Sequence, residues 1–554
     1  MDTGTKVYRN YFPIKFGWQA ACQFGRIYPC FRKLVYPGDV FKINADLLIR
    51  YQPMLAPPMN AATATVRFGF VPLRLIEENT ELIITGSKDG KLYTETLPQF
   101  DSCFKYLNFK EDHTTVEKGS IFDLLYQIPT GLTLNTQGLK DKLDASPASP
   151  ALYFAKAFAR FWWDYYRDEN LFDEAGGNDF EAFFDNYIKE FLHREDWYGD
   201  MPLSLKKDRI TSSLPWQLKA VAAPTIEITG NGTLTPNFNV DMAYTNPDGY
   251  GVDLQGIGSY GTKPFAPAEG TFDPTNFNAA FNNQLNQPQS GGVSISAGSL
   301  NGSQFRDMMS MTRVFERLAR CGSRYTEYLR ANFNVAPSDG TLQRAQYLGG
   351  FKTHIVTTEV VQTAAAGDNP VGTLRGHGIT HGTATIKPFM AREIGVIIGI
   401  LDVRPESIYA QGVDRELTAR SRFDFLNPSF QHLSEQEVRN GEVYFNTDVD
   451  SDGNLNNDKT WGFQPYAQEL RTGIKHVCSE MRDSLSYWNQ SIIMSERPSL
   501  NQAFLNAASH RASFNRPFAV SSVDALPMVV DFGGIIEAYR PLVKNGTPGL
   551  VDHN

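Results

Sequence analysis

Cysteine is scarce in this 554-residue chain. The five present, Cys22, Cys30, Cys103, Cys321 and Cys478, form no C-x-x-C pair. An odd, scattered set excludes a disulfide framework and points to folding in a reducing cytoplasm. Long hydrophobic runs are missing too. The strongest, Ile394–Leu401 (IGVIIGIL), falls far short of the roughly 20 residues that cross a bilayer. The N-terminus, MDTGTKVYRNYFPIKFGW, has no apolar stretch of signal-peptide length, so export by a standard leader is not expected. Charged residues reach only 20%, with a formal net charge of −9. That balance excludes one dominant basic face for nucleic acid, though not local clusters of Arg and Lys. Familiar catalytic signatures are absent as well: there is no G-x-S-x-G, no P-loop, and no G-x-G-x-x-G opening a helix after a strand.

What is abundant suits a β-rich protein. Glycine (45) and proline (31) are plentiful, and aromatic residues reach 12%. That composition favours turns and irregular loops over a helical bundle. Hydrophobic residues, at 42%, supply enough material for a large core. At roughly 100–200 residues per domain the length allows three or four domains. One large β domain carrying long insertions reaches the same length.

Periodicity favours the second reading. Pro37-Gly38-Asp39 is a turn that leads into alternating Phe41, Ile43, Ala45 and Leu47, a half-buried strand. Residues 62–71 (ATATVRFGFV) put Val66, Phe68 and Phe70 on one face of another strand. YQPMLAPPM between them is too proline-rich for a central strand. Residues 151–172 are aromatic and helix-compatible, and 180–194 continue in that style. Phe305, Met308, Met309, Thr312, Phe315, Leu318 and Ala319 follow helical spacing within 304–331, and Gly322 offers a stop. β character returns at 350–363, 384–403 and 528–540, with Ile394–Leu401 reading as buried on both faces. Strands near both ends and in the middle, with helices between, outline a β-sandwich with long excursions.

Residues 225–300 differ from their surroundings. Gly, Asn, Thr, Ser, Pro and Gln dominate, and Lys263 is the single basic residue. A disordered linker is one reading. Recurrent aromatics (Phe238, Tyr244, Tyr250, Tyr260, Phe265, Phe272, Phe277, Phe281) favour a folded, exposed insertion, because disordered linkers are poor in them.

One local motif suggests a metal. In DVDSDGNLNNDK (448–459), Asp448, Asp450 and Asp452 stand at positions 1, 3 and 5 of a calcium-loop pattern. Gly453 falls at the sharp turn, Asn454 offers a carbonyl, and Asp458 stands near the end. The departure is Lys459, where such loops carry a bidentate Glu. The competing reading is a solvated acidic turn. His377 and His381 in GHGITHG have zinc-like spacing only on a helix, which the glycines at 376, 378 and 382 disfavour. Cys321 has no local His to activate it. Glu77-Glu78 and Asp164/Asp168 read as helix-surface charge.

Several segments together resemble one family. They are PGDVFKINADLLIRYQPMLAPPM (37–59), FGFVPLRLI (68–76), ITG (84–86), FDLLYQIPTG (122–131), YYRDENL (165–171) and SSLPW (212–216). RLARCGSRYTEYLRANFNVAPSDGTLQRAQYLGG (317–350), GHGIT (376–380), SIYAQGVDR (407–415), EQEVRNGEVY (435–444), GFQP (462–465) and GTPGLVDH (546–553) follow in the same order. Collinear over most of the chain, these segments resemble the F-type major capsid proteins of gokushovirus-like microviruses (Microviridae), small single-stranded-DNA phages. The first three dozen residues and 225–300 match least.

The resemblance implies a mainly β fold: an eight-stranded antiparallel viral jelly roll with long helical and irregular insertions. It implies an N-terminal arm (1–36), one jelly-roll capsid domain (37–554), and within it a variable exposed insertion (225–300) forming a three-fold protrusion. It implies a non-enzymatic subunit that assembles with itself, about sixty copies to a closed icosahedral shell. The shell would enclose circular single-stranded DNA and be assembled in the host bacterial cytoplasm. Implied partners are a small basic DNA-packaging protein, an internal scaffolding protein, a pilot protein and a host surface receptor. Arg9, Lys15, Arg26, Arg32 and Lys33, or Arg511 and Arg516 with Phe514 and Phe518, are candidates to face the DNA by charge and stacking. The alternative for those residues is interface Arg and core Phe. A carbohydrate-binding or carbohydrate-active β-sandwich is the competing function; its test is whether purified material forms particles or a small oligomer.

Overall fold

The computed structural model describes residues 9–85, 99–107, 114–133, 137–172, 179–219, 242–245, 251–254, 302–322, 324–361, 363, 371–372, 374–430, 435–519 and 526–544. Its contacts divide into two units. The first comprises Met1–Lys219 and Phe315–Asn554, and the second Ala220–Val314.

In chain order the strands are β1 (Asn10–Cys22), β2 (Ile27–Val35), β3 (Val40–Tyr51), β4 (Ala62–Pro72), β5 (Met242–Thr245) and β6 (Gly251–Leu254). β7 (Gln346–Val361), β8 (Leu374–Met390), β9 (Gly395–Pro405), β10 (Glu435–Arg439), β11 (Thr460–Pro465) and β12 (Met528–Arg540) follow. Eight of them build the jelly roll. β1, β12, β3 and β8 lie side by side in one sheet, and β2, β9, β4 and β7 in the other. Every neighbouring pair is antiparallel. β7 serves both sheets: residues up to Ile355 pair with β4, and those from Val356 pair with β8. The pairing is nested, with β1 on β12, β2 on β9, β3 on β8 and β4 on β7. A long hairpin ribbon, bent back at the β4–β7 connection and rolled up, gives this order.

The core lies between the sheets. Phe16 and Phe532 of the first sheet meet Phe31 and Phe68 of the second, with ring centroids 4.9 to 6.3 Å apart. Phe68 stands opposite Gly399 on one neighbouring strand and Gly349 on the other. A Cβ at 399 would come within 2.7 Å of Phe31 and 3.2 Å of the Phe68 ring. Glycine there makes room for the aromatic cluster.

The two sheets differ on their outer faces, and the sequence says why. β1, β3 and β12 alternate buried and exposed residues, the pattern of a sheet with one wet face. β4 and β9 are buried on both faces, as the unbroken apolar run of β9 requires. The helix Tyr153–Tyr165 covers them from outside. Its Phe161 ring lies where a Cβ at Gly69 would sit, 2.3 Å away. Trp162 of the same helix stacks on Phe183 at 5.5 Å and donates its ring N–H to the Pro202 carbonyl at 3.1 Å.

The boundary at residue 36 does not coincide with an edge of the fold. β1 and β2 precede it, and both are integral sheet strands. Phe12, Ile14, Phe16 and Trp18 alternate inward along β1. Pro13 is tolerated because β1 is an edge strand. The Pro37-Gly38-Asp39 turn joins β2 to β3. Gly38 takes φ +85°, and buried Asp39 accepts the Tyr36 N–H at 2.9 Å and both Nε and Nη2 of Arg540 at 3.2 and 2.9 Å. That ion pair ties the end of β12 to the turn. Of the 225–300 stretch, only the β5–β6 hairpin is described; the rest, like residues 546–553, lies outside the described residues.

Candidate functional site

The calcium-like loop closes on its own hydrogen bonds. Asp450 Oδ1 accepts the amides of Asp452 and Asn454, each at 2.9 Å. Its other oxygen, Oδ2, lies 3.2 Å from the Lys459 ammonium. Gly453 turns the chain at φ +79°. The Asn454 amide, first among its donors, holds the Asp450 carboxyl below the usual range. Asp448 accepts from the Asn446 side chain. Asp452, Asn454 and Asp458 are exposed. Among the described residues no three His, Cys, Asp or Glu side chains converge as a metal cage. Lysine therefore stands on the carboxylate that a cation would need. Lys459→Glu removes that ammonium and restores the bidentate acid. Millimolar calcium is expected to raise the melting temperature of the variant more than that of the parent, read by calorimetry.

The basic candidates do not converge on one surface. Lys15 projects from the exposed face of β1. Arg9 donates to the Gly38 carbonyl at 2.8 Å. Arg32 and Lys33 are half-buried on β2, with burial lowering both pKa values. Arg26 is buried and lies 4.0 Å from Glu195. Arg516 donates to Asn489 and Ser491 at 2.9 to 3.4 Å and pins that loop. Phe514 and Phe518 are core residues whose rings pack edge-on and tilted against Phe24 at 6.3 and 5.9 Å, and Arg511 lies at the start of the helix that carries Phe514.

The remaining catalytic candidates are held apart or buried. His377 and His381 share the exposed face of β8, about 13 Å apart along an extended strand, too far for one ion. Cys22, Cys30 and Cys103 are buried, and desolvation pushes all three thiols up, which suppresses the reactive thiolate. Asp164 is not surface charge: it is buried, 3.1 Å from Arg160, and accepts the Ala345 N–H at 2.8 Å.

Two carboxyls titrate far from their ordinary range. Asp200 is pushed up to about 6 by desolvation and by Asp196. Glu327 rises to about 7, through desolvation first and then its contact with Glu169. Glu327 thus binds its proton more tightly folded than unfolded. Its stabilising effect is complete below the ordinary glutamate value of 4.5 and is lost as pH rises through about 7. Glu327→Gln stays neutral, so its melting temperature is expected to exceed the parent's at pH 8 and match it near pH 4.5.

The most unusual surface was not singled out by sequence reasoning. Residues 415–430 carry Leu417, Phe423, Phe425 and Leu426 at 78, 60, 60 and 59% exposure. Yet their stem is rigid. Buried Arg209 lies 3.2 Å from both Asp414 and Glu442. Arg415 lies 3.2 Å from Glu442 and donates to the Glu437 carbonyl at 2.5 Å. At the tip, Asp424 accepts the amides of Arg420 and Ser421 at 2.9 and 2.6 Å. A fixed stem bearing solvated aromatics is what a preformed docking element looks like. FDFLNPSF (423–430) held the only sequence signal: four large apolar residues in a turn-rich segment with no strand or helix period.

Comparison with known proteins agrees with this fold. A family model described as "Capsid protein (F protein)" matches residues 2–550. Capsid protein VP1 of Chlamydia phage 1 is 26% identical, covering 98% of this chain and 96% of its own. Capsid protein VP1 of Bdellovibrio phage phiMH2K is 26% identical, covering 98% and 95%. Capsid protein VP1 of Spiroplasma virus 4 is 25% identical, covering 99% and 97%. With the family match running almost end to end over a nested two-sheet jelly roll, this chain belongs to the F-type phage capsid protein family.

Proposed function

We propose that the chain is a shell tile: about sixty copies close into an icosahedral particle around circular single-stranded DNA. The observation that carries this reading is the rigid-stemmed apolar segment 415–430. Its natural occupant is a second copy of the chain. In a closed shell every copy meets identical neighbours, so one protruding element repeats as many contacts. Interfaces favour aromatics and Arg, and this segment supplies Phe423, Phe425 and Phe430 beside Arg420 and Arg422. The exposed candidates Lys15 and Arg9, with half-buried Lys33, are proposed as local DNA contacts. Host attachment through the 225–300 insertion, and docking of packaging, scaffolding and pilot proteins, are proposed on family membership.

Electron microscopy of purified chain tests the assembly: uniform closed particles are expected. A species of low order under every condition would sink it and favour a carbohydrate-binding sandwich. Replacing 225–300 by a Gly/Ser linker should preserve particles and reduce adsorption to host cells.

A further inference from the structure

A cleft of about 840 Å3 opens beside the outer face of the second sheet, within the first unit. The register of the strands builds its floor. Thr63 of β4 stands between His354 of β7 and Arg404 of β9, and Thr65 between Lys352 and Asp402. The walls are Tyr166–Asn170, Ser204–Lys207 and the turn after the helix Gly302–Cys321.

The charge of this cleft opposes that of the chain. Arg67, Arg167, Lys206, Lys207, Arg320, Arg324, Lys352 and Arg404 line it, against the carboxylates Asp168, Glu169 and Glu327. Two further acids, Asp402 and Glu435, pair with lining residues from behind. Even with both counted, cations exceed carboxylates by three, on a chain whose formal charge is −9. Arg67 and Arg404 share one buried carboxylate, that of Asp402, at 3.2 and 2.8 Å. Their guanidinium groups are held in place, with Arg67 also stacked on Tyr166 at 4.7 Å. Lys207 and Arg324 pair with Asp168 and Glu169 at 2.6 and 3.4 Å. Lys206 and Lys352 are exposed and have no carboxylate partner among the described residues.

Thr63, Ser204, Ser212 and Asn170 add neutral donors. Guanidinium, ammonium and hydroxyl groups converging on one hollow suit phosphate oxygens. Of the lining rings, Tyr166 is buried beneath Arg67 and the small imidazole of His354 is exposed, so the cleft offers far more cationic than stacking surface. We propose that this cleft grips the phosphate backbone of single-stranded nucleic acid, a few nucleotides per subunit, without reading base identity. The proposal rests on the shell reading for its choice of polyanion, since an acidic protein segment has related chemistry.

The test uses the full chain with labelled oligothymidylate. The double charge reversal Lys206→Glu with Lys352→Glu is compared with a control reversing Lys387 and Lys475, both outside the cleft. Fluorescence anisotropy should show at least tenfold weaker binding for the cleft variant and little change for the control. The salt slope should shrink by about 1.4, the value for two phosphate contacts on a single strand. Ultraviolet cross-links in the parent should map to peptides containing 204–212 and 350–356. Equal losses in the two variants, cross-links only elsewhere, or equally effective competition by oligoglutamate would each overturn the proposal. Electron microscopy of the same samples scores particle formation separately. Absent particles would sink the shell reading while a working cleft survived; particles whose DNA binding ignores the cleft variant would do the reverse.

Discussion

Phe423→Asp combined with Phe425→Asp is expected to give a folded chain that no longer forms particles. Neither ring contributes to the core, since both are about 60% exposed. Their removal therefore leaves the two sheets and the Arg209–Glu442 stem intact. In an assembled shell the same rings would be buried, and hot spots of this kind cost about 2 kcal/mol or more each when lost. Aspartate adds the expense of burying an unpaired charge. Because the defect repeats at every copy of the interface, a modest loss per contact becomes loss of the particle. Circular dichroism and melting temperature should match the parent, while sedimentation shows only slow species. Normal particles from this double variant would remove 415–430 from the assembly surface.

Phe68→Ala is expected to cost about 3–5 kcal/mol of stability, the usual range for a large aromatic removed from a packed core. Phe68 is fully buried and touches both sheets through Phe31 and Phe532. The glycines facing it, Gly349 and Gly399, have no side chains to move into the void, so the cavity stays open. A loss this large is a major fraction of the roughly 5–15 kcal/mol available to a domain. Urea midpoints read by tryptophan fluorescence would measure it. A shift equivalent to less than about 1 kcal/mol would mean the sheets close over the gap, and that the aromatic cluster is not what spaces them.

Much of the architecture was legible from periodicity. β3, β4 and β12 announce themselves by alternating apolar residues, and β9 by an unbroken apolar run. The helix stop at Gly322 follows from its φ of +81°. β1 and β2 were hidden for a physical reason. Each carries a proline, Pro13 and Pro29, which weakens a strand signal; in the fold β1 is an edge strand and the β2–β9 register shifts between Pro29 and Phe31. The functional surfaces were less legible still. The cationic cleft gathers Lys206, Lys352 and Arg404 from distant segments: strand register places Lys352 and Arg404 beside β4, and tertiary packing brings the 204–207 segment against them. The exposure of Phe423 and Phe425 is likewise invisible in sequence, because core and interface use the same side chains. Lys459, noted in the sequence only as a departure from the calcium pattern, meets the Asp450 carboxylate in the fold, a contact that the pattern did not foretell.

The nested ribbon sets a timetable for synthesis. β1 emerges from the ribosome first but its partner β12 comes last, some 500 residues later. At about 5–20 residues per second, that interval lasts roughly 25 to 100 s. Throughout it, Phe12, Ile14 and Phe16 lack the strand that completes their side of the sandwich. Until β12 is made the nascent tile has an unpaired strand and exposed apolar surface, features that favour mispairing with other nascent chains. A ribosome that stalls before codon 528 would release a polypeptide without its closing strand. Quality control of coat production is thereby written into the order of the strands.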